Sequence, residues 1–409
     1  MHALLFALGS TGDVLPFVGL GRALAARGHA VTVAANPHFA AMIARAGLGF
    51  VALGDEDEYH ALCDSPKLMD RARGFRFVMD WASTLIRPVY ELAAGHREAL
   101  VIAHPLAYGA RVAEERLGVR TATLLLSPAI LRSADGWVKR SMRWAADVLI
   151  VDRVVGPPLN AFRAAKGLPP IARVLSHGWD GAHLFVAMFP SWFAPLDADG
   201  PRRLAYAGFP LHDDVHDDAR DAAADDARLP AILDERPLVF TAGTGNRCAH
   251  AFFAAAVEAS RRLRRPALLL TQHREQLPPS LPPGVEHFAY LPLSRVLPCA
   301  SALVHHGGIG SAAAALAAGV PQLVIPFAHD QPDNAARLCR LGVAAALSPL
   351  RGSGAAMAAR LRRLLASPSV AARCHALATA LRPGLEPACD LLEGYAAGER
   401  HTGSVAGAA

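Results

Sequence analysis

The chain has 409 residues, of which 52% are hydrophobic and 19% are charged, and its formal net charge is +5. A chain of this length is too long for a single domain with one hydrophobic core, so two domains are predicted. The small net charge and the scattered arginines argue against nucleic-acid binding. Six widely spaced cysteines without a Cys-x-x-Cys pair indicate free thiols in a reducing compartment rather than disulfides or a zinc site.

The first half of the chain alternates predicted strands and helices from its start. Residues 3–8 form a continuous apolar run typical of a buried parallel strand, residues 9–13 form a turn, and apolar residues then recur at helical spacing up to Gly28. Later strands are predicted at 30–35, 100–103, 122–126 and 184–189.

A second alternation follows an acidic segment at 211–229, which is poor in bulky side chains and indicates an exposed linker. Strands are predicted at 238–241, 267–271, 302–304 and 323–325, and helices at 249–263, 311–318 and 333–341. The expected divisions are a first domain at 1–210, a linker at 211–236, a second domain at 237–385, and a C-terminal helix with a frayed tail at 386–409 that packs back on the first domain.

The predicted fold class is α/β, with two Rossmann-like, doubly wound domains facing across a cleft, because strands and helices alternate in both halves. Ligands of open α/β sheets bind at the carboxyl ends of the strands. The loops that follow the predicted strands are therefore the candidate sites.

The strongest motif is Val-His-His-Gly-Gly-Ile-Gly-Ser at 304–311, between a predicted strand and a predicted helix. Its glycines allow a close approach of the backbone, the helix N-terminus offers unpaired N–H groups, and an imidazole beside them can add a donor. These features suit a diphosphate whose charge grows as it leaves. The alternative is that a histidine here satisfies only a backbone group.

Asp330 and Gln331 follow the next predicted strand. A carboxylate accepts hydrogen bonds from sugar hydroxyls, and an amide both donates and accepts them. Helix capping by Asp330 or Asp333 is the alternative role for these carboxylates.

The segment 290–334 resembles the donor-binding signature of the UDP-glycosyltransferase superfamily, whose members share the GT-B fold. The resemblance implies a nucleotide diphosphate sugar as co-substrate and no other cofactor. Thr244 lies in a loop that resembles the one whose hydroxyl reaches the diphosphate. The remaining donor-binding candidates that the resemblance implies are Tyr290 and Leu291 at the base, His306, Gly308, Gly310 and Ser311 at the diphosphate, and Asp330, Gln331 and Asn334 at the sugar.

The first loop, at 9–16, resembles the opening of bacterial members of this superfamily, and the match makes Asp13 the general base. An alcohol acceptor must lose its proton as it attacks the anomeric carbon, and a carboxylate can take that proton. Capping of the first helix by Asp13 is a compatible structural role. The reaction expected is a single displacement with inversion.

Segments 189–195, 207–211 and 328–331 resemble the rhamnosyltransferase B subunits of rhamnolipid synthesis. The resemblance implies a dTDP-L-rhamnose donor, a 3-(3-hydroxyalkanoyloxy)alkanoate acceptor and a glycolipid product. Transfer of a UDP- or dTDP-hexose to a polyketide, sterol or other small-molecule alcohol is the alternative. Those subunits have proline where His306 stands, so the wider superfamily pattern is better matched there.

Aromatic side chains are the candidates for contact with a lipidic acceptor, with ordinary core packing as the alternative. Residues 71–90 could also rest on the surface of the inner membrane. The acceptor-binding candidates are Trp81, Trp137, Trp192 and Phe193.

No metal is expected in the reaction, because the helix terminus and the imidazole stabilise the departing diphosphate. Asp55-Glu56-Asp57 and Asp197-Ala198-Asp199 mimic an Asp-x-Asp metal motif but lie among turn residues. A sugar-nucleotide epimerase and a non-catalytic partner subunit are the alternatives from other classes. The start of the chain lacks a signal-peptide pattern, and a cytoplasmic location is expected.

Overall fold

The computed structural model describes residues 1–70, 73–131, 147–177, 183–195, 201–213 and 229–399. The chain divides into two units: the first comprises Met1–Leu68, Ala72–His212 and Pro383–Ala409, and the second comprises Met69–Arg71 and Asp213–Arg382. Trp137, most of the predicted linker and the predicted frayed tail lie outside the described residues.

The first unit is built on a seven-stranded parallel sheet with the order β3-β2-β1-β4-β5-β6-β7. The central strands are buried along their length except for the half-exposed His2 at the start of the first strand, as expected for a parallel sheet covered on both sides. Its strands are β1 (His2–Phe6), β2 (Ala30–Ala35), β3 (Gly49–Ala52), β4 (Leu100–Ala103), β5 (Thr121–Leu125), β6 (Leu184–Ala187) and β7 (Leu204–Tyr206).

Helices cover both faces of this sheet and form two apolar clusters with it. One cluster contains residues of α1 and of the C-terminal helix, and the other contains residues of α4, α5 and α6. The helices are α1 (Thr11–Ala26), α2 (Ala40–Arg45), α3 (Glu56–Asp64), α4 (Gly74–Thr84), α5 (Ile86–Gly95), α6 (Tyr108–Leu117), α7 (Asp152–Val154), α8 (Gly156–Ala165) and the C-terminal α16 (Leu385–Ala397).

The C-terminal helix α16 is held on the first unit by both apolar and charged contacts. Cys389 and Leu392 are fully buried in the same cluster as α1. Arg27, just after α1, pairs with Asp390 at 2.7 Å and Glu393 at 2.8 Å, and the Tyr395 hydroxyl donates to a backbone carbonyl of β5.

The second unit contains a six-stranded parallel sheet with the order β10-β9-β8-β11-β12-β13. Its strands are β8 (Leu238–Thr241), β9 (Ala267–Leu270), β10 (Val285–Phe288), β11 (Ala302–His305), β12 (Gln322–Val324) and β13 (Ala344–Ala346). Its helices are α9 (Leu229–Asp234), α10 (His250–Leu263), α11 (Leu293–Val296), α12 (Ile309–Ala317), α13 (Gln331–Arg340), α14 (Gly354–Leu365) and α15 (Pro368–Ala380).

Two helices of the second unit begin two residues earlier than predicted. Helix α12 begins at Ile309 rather than 311, with Gly308 in extended conformation as its N-cap residue. Helix α13 begins at Gln331 rather than 333, since Pro332 is compatible with the first turn of a helix. These starts bring the glycine motif and Gln331 to the helix N-termini.

Strand order reverses between β1 and β4 in the first sheet and between β8 and β11 in the second. Ligands of doubly wound sheets bind beyond the carboxyl ends of the strands at such a reversal. Each unit therefore has one preferred binding edge. Within the described ranges, no helix has the length and apolarity needed to cross a membrane.

Candidate functional site

Three loops of the second unit lie side by side at the carboxyl edge of its sheet. His305, the last residue of β11, is in register with Thr241 of β8 and with Val324 of β12. The loops that follow these strands carry most of the residues predicted to bind the donor, and strand pairing brings them together.

The two consecutive histidines of the glycine motif have different surroundings. His305 is fully buried, its Nε2 lies 3.0 Å from Gln322 Oε1, and its Nδ1 accepts the N–H of Gly307 at 3.2 Å. Both ring nitrogens are therefore engaged within the protein. The predicted alternative, a histidine that satisfies a backbone group, describes His305.

His306 occupies a space that two glycines leave open. A Cβ at Gly243 would lie 2.7 Å from His306 Nε2, and a Cβ at Gly308 would lie 2.4 Å from the same atom. The His306 Nδ1 atom is buried and has no hydrogen-bond partner within the described part of the chain. Because buried polar atoms are normally hydrogen-bonded, this ring is suited to meet a polar group of a ligand.

Charge at this edge favours an anion. The first turn of α12 contains no acidic residue, and its backbone N–H groups have no intrahelical partners. Gly308, Ile309 and Ser311 are half-exposed there. Burial lowers the pKa of His306 to about 4, so its imidazole is neutral at neutral pH and has one N–H group that could donate a hydrogen bond.

A buried amide connects the glycine loop to the predicted sugar-binding pair. Asn334 is fully buried, and its Nδ2 donates to the Gly307 carbonyl at 3.0 Å and to Asp330 Oδ2 at 2.8 Å. Gln331 Oε1 accepts the N–H groups of Phe327 at 2.8 Å and Ala328 at 3.1 Å. Asn334 and Gln331 therefore hold the geometry of the loop.

Helix capping is the alternative role predicted for Asp330 and Asp333, and their side chains make other contacts. Asp330 is the N-cap residue of α13, yet its side chain makes no capping hydrogen bond and instead accepts from Asn334. Asp333 pairs with the buried Arg337 at 2.8 Å. His329, exposed just before Asp330, has φ 57°, a left-handed conformation that is unfavourable for a residue with a Cβ and frequent at ligand sites.

The other predicted donor residues lie on the same unit. Thr244 is exposed in the loop after β8, Tyr290 is half-buried after β10, and Gly310 is exposed in the first turn of α12. Leu291 is only 7% exposed and packs in an apolar cluster, so its side chain contributes to the core.

We expect Asn334→Ala to lower the free energy of unfolding by about 1–3 kcal/mol, because it leaves the Gly307 carbonyl and Asp330 without their buried donor. Urea denaturation measures this change. Arg363→Ala, at an exposed position on α14, is the control and should change stability by less than about 0.5 kcal/mol. An Asn334→Ala protein as stable as the wild type would contradict this bonding role.

His305 predicts a pH dependence of stability. Burial, assisted by the neighbouring His306, lowers its pKa from 6.5 to about 3 in the folded chain. Between these values the unfolded chain binds more protons, so stability rises with pH and is lost on acidification below about 6.5. His305 changes the free energy of unfolding by up to about 1.36 kcal/mol per pH unit in this range.

We therefore expect His305→Gln to reduce the pH slope of unfolding free energy between pH 6.5 and 5. Denaturant titrations at several pH values measure the slope. His375→Gln, at an exposed position, is the control and should leave the slope unchanged. An identical slope in the wild type and in His305→Gln would contradict the assignment.

Asp13 lies in the first turn of α1, at the reversal edge of the first sheet. Its Oδ2 accepts the Ser10 N–H at 2.8 Å and the Ser10 hydroxyl at 3.0 Å. Ser10 is the N-cap residue and Asp13 is the N3 residue of the helix, so the two form a capping box in which Asp13 is not the cap itself. Gly9 has φ 122°, and a Cβ there would lie 2.3 Å from Asp13 Oδ2, so glycine makes room for the carboxylate.

His104 is a candidate that the sequence reasoning did not select. It follows β4, the neighbour of β1, and its ring lies 6.3 Å from that of Phe17, one turn after Asp13 in α1. Its Nδ1 accepts the Leu106 N–H at 3.2 Å, which leaves the proton of the neutral ring on Nε2. Burial lowers its pKa to about 3. The feature of the sequence that could have identified His104 is its position directly after the strand predicted at 100–103.

The described aromatic acceptor candidates pack largely within the first unit. Phe193 is 2% exposed and its ring lies 5.3 Å from that of buried Phe209. Trp192 is half-buried and 6.2 Å from Phe209, and half-buried Trp81 packs against the cluster that contains α4 and α5. Core packing thus accounts for Phe193, while both tryptophans keep some exposed surface.

In Asp55-Glu56-Asp57, the first of the two segments that mimic an Asp-x-Asp metal motif, Asp55 has a structural role. Asp55 is the N-cap residue of α3, and its Oδ1 accepts the N–H groups of Asp57 at 2.9 Å and Glu58 at 3.1 Å. The second, at 197–199, lies outside the described residues.

Family models match both ends of the chain. Residues 3–134 match the glycosyltransferase family 28 N-terminal domain, and residues 267–404 match the C-terminal domain of proteins like erythromycin biosynthesis protein CIII. The matched ranges contain Asp13 and His104 in one case, and the His306 loop with Asp330 and Gln331 in the other.

Relatives and solved structures match almost end to end. O-mycaminosyltylonolide 6-deoxyallosyltransferase of Streptomyces fradiae is 28% identical, over 97% of this chain and 98% of its own. The glycosyltransferase of kitacinnamycin aligns with a TM-score of 0.72 and 25% identity, over 96% of this chain and 98% of its own.

A third comparison concerns a nucleotide complex. Spinosyn rhamnosyltransferase SpnG complexed with thymidine diphosphate aligns with a TM-score of 0.68 and 19% identity, over 96% of this chain and all of that one. At this identity the likeness concerns the fold. Taken together with the matched family models, the fold places the chain in the GT-B superfamily of glycosyltransferases, with a family 28 N-terminal domain and an erythromycin CIII-like C-terminal domain.

Proposed function

We propose that this glycosyltransferase transfers a 6-deoxyhexose, with L-rhamnose as the first candidate, from a dTDP-sugar to a hydroxyl group of an apolar small molecule. The observation that carries the donor half is the edge of the second unit, where a neutral His306, whose Nδ1 has no partner within the described residues, lies beside the unpaired N–H groups of α12. Such an edge is suited to a diphosphate.

The names of the compared proteins support the sugar and nucleotide classes. One relative is named a 6-deoxyallosyltransferase, and a structural neighbour is a rhamnosyltransferase complexed with thymidine diphosphate. The segments at 189–195, 207–211 and 328–331 favour rhamnose among the 6-deoxy sugars. Asp330 and the Nε2 group of Gln331, whose Oε1 is engaged by the loop, would hydrogen-bond the sugar hydroxyls at the carboxyl end of β12.

The acceptor class follows from the same comparisons and from the resemblance in sequence. The name of one sequence relative contains tylonolide, and the name of one structural neighbour contains spinosyn. These names favour a polyketide-type alcohol as the acceptor. The three rhamnosyltransferase-like segments favour a 3-(3-hydroxyalkanoyloxy)alkanoate instead. Both are apolar molecules with a hydroxyl group, and Trp81 and Trp192 are partly exposed aromatic side chains of the first unit that could contact them.

The proposed reaction is one displacement with inversion and needs no metal ion. The acceptor oxygen attacks the anomeric carbon, the bond from that carbon to the diphosphate oxygen breaks, and Asp13 takes the hydroxyl proton. His306 and the first turn of α12 donate hydrogen bonds to the diphosphate as its charge increases. His104, with its proton on Nε2, would donate a hydrogen bond beside Asp13.

The test is an assay of the purified chain with dTDP-L-rhamnose and two acceptors, a 3-(3-hydroxyalkanoyloxy)alkanoate and a macrolide aglycone. Mass spectrometry detects a deoxyhexose adduct, and NMR of the anomeric centre reports inversion. Parallel reactions contain dTDP-glucose, UDP-glucose or EDTA. The expected result is an adduct with dTDP-L-rhamnose that forms equally well in EDTA.

Each half of the proposal has its own contradicting outcome. Transfer of glucose but not rhamnose would overturn the donor assignment, and loss of transfer in EDTA would overturn the metal-free mechanism. Transfer to only one acceptor would decide between the lipid and the polyketide class. Absence of both nucleotide binding and transfer would reject the donor site itself.

A further inference from the structure

A group of potential metal ligands lies on the first unit, in the turn after β2 and on α3. The Nδ1 atom of His38 is 3.8 Å from Glu56 Oε1, and the Nε2 atom of His60 is 3.6 Å from the same oxygen. The three ligand atoms all lie within 4.8 Å of one another, an arrangement that no other group in the described part of the chain shares. We propose that His38, Glu56 and His60 bind one divalent transition-metal ion of the zinc type.

Local structure brings these side chains together from two segments. Glu56 and His60 are four residues apart on α3 and therefore point from the same face of that helix. His38 belongs to a 3₁₀ turn, Pro37–Phe39, that directly follows β2. A bound ion would connect this turn to α3.

A buried amide already connects the two segments. Asn36 is 8% exposed, its Oδ1 accepts the His38 N–H at 3.0 Å, and its Nδ2 donates to the Asp55 carbonyl at 2.8 Å. Because Asp55 also caps α3, the backbone on both sides of the proposed site is held in place. Such support of the residues around a metal reduces the ordering that binding requires.

The His38 ring is supported by the core. It stacks on Tyr59 with a centroid separation of 5.1 Å and an angle of 28°, and it meets the edge of Phe39 at 4.9 Å. Tyr59 is 5% exposed and Phe39 is 2% exposed. The imidazole is therefore oriented before any ion arrives.

The ligand types select the ion. Two imidazole nitrogens and one carboxylate oxygen are a common zinc set, whereas Ca²⁺ and Mg²⁺ prefer oxygen ligands. With bonds of about 2.1 Å, tetrahedral ligands are about 3.4 Å apart, so the distances of 3.6 and 3.8 Å need only small adjustments. Side-chain exposures of 37% for each histidine and 52% for Glu56 allow that adjustment and leave a position for water.

The experiment is a calorimetric titration of the intact, EDTA-treated and desalted chain with ZnCl₂. The wild type should bind one ion, and His60→Gln and Glu56→Gln should each weaken binding at least about tenfold, since even residues behind the ligands contribute that much. Circular dichroism in EDTA checks that each variant folds. The visible absorption of added Co²⁺ gives a second readout, which should change in the ligand variants.

Two control variants separate this site from other zinc-binding histidines. His375→Gln removes an exposed histidine on α15, and His216→Gln removes one of the two histidines of the acidic segment at 211–229. Both should bind zinc like the wild type. Equal affinity in the wild type and the two ligand variants would overturn the proposal, as would loss of binding in His216→Gln alone.

Discussion

Asp13→Asn is expected to lower kcat by about 10²–10⁴, because the amide cannot take the proton of the acceptor hydroxyl. The substitution keeps the size of the side chain, and the amide oxygen can still accept the Ser10 N–H and hydroxyl. Thermal stability and affinity for dTDP should therefore stay close to those of the wild type. Initial rates at saturating donor, together with calorimetric dTDP binding, measure both quantities.

Asp55→Asn is the matched control for Asp13→Asn, since it changes a carboxylate that caps a different helix of the same unit. It should cost about 1 kcal/mol of stability or less and leave kcat within about threefold. If Asp13→Asn retained more than about a tenth of wild-type kcat, Asp13 would be a capping residue only.

His306→Ala is expected to lower kcat by about 10²–10³, the usual effect of removing one donor to a developing negative charge. The effect should appear mainly in kcat rather than in the KM for the donor, because the charge on the diphosphate grows only in the transition state. Steady-state kinetics with varied dTDP-sugar separates the two parameters. Urea denaturation checks that the variant remains folded.

Gly308→Ala is a second route to the same result, with the imidazole retained. Its new methyl group would lie 2.4 Å from His306 Nε2, so the ring must move. We expect a loss of kcat similar to that of His306→Ala. Unchanged kcat in both variants would show that the donor diphosphate is stabilised by the α12 backbone alone.

The α/β class and the central strands of both units could be predicted from the sequence. Strands β2, β4 and β8 have the bounds that their apolar runs indicate, since parallel strands buried on both faces read as continuous hydrophobic segments. Four strands, β3, β7, β10 and β13, were not predicted. All four contain partly exposed residues and lie at a sheet edge, where the apolar signal is weak.

The candidate donor residues were also visible in the sequence, because glycines, histidines and an Asp-Gln pair follow predicted strands in a recognisable order. The local pattern alone did not distinguish the histidines at 305 and 306, and only the family resemblance selected His306. The structure shows the difference between them: the pairing of β11 with β12 places His305 against Gln322, whereas the His306 ring lies in space left by Gly243 and Gly308.

By itself, the sequence of this protein determined the fold class, the donor motif and the candidate base Asp13, because each depends on residues close together in the chain. The tertiary structure alone decided which distant residues meet. Asp13 and His104 are 91 positions apart and reach the same edge because β1 pairs with β4. His38 meets Glu56 and His60 because Asn36 connects the turn after β2 to α3. Such contacts arise from strand order and side-chain packing, which no local pattern of residues records.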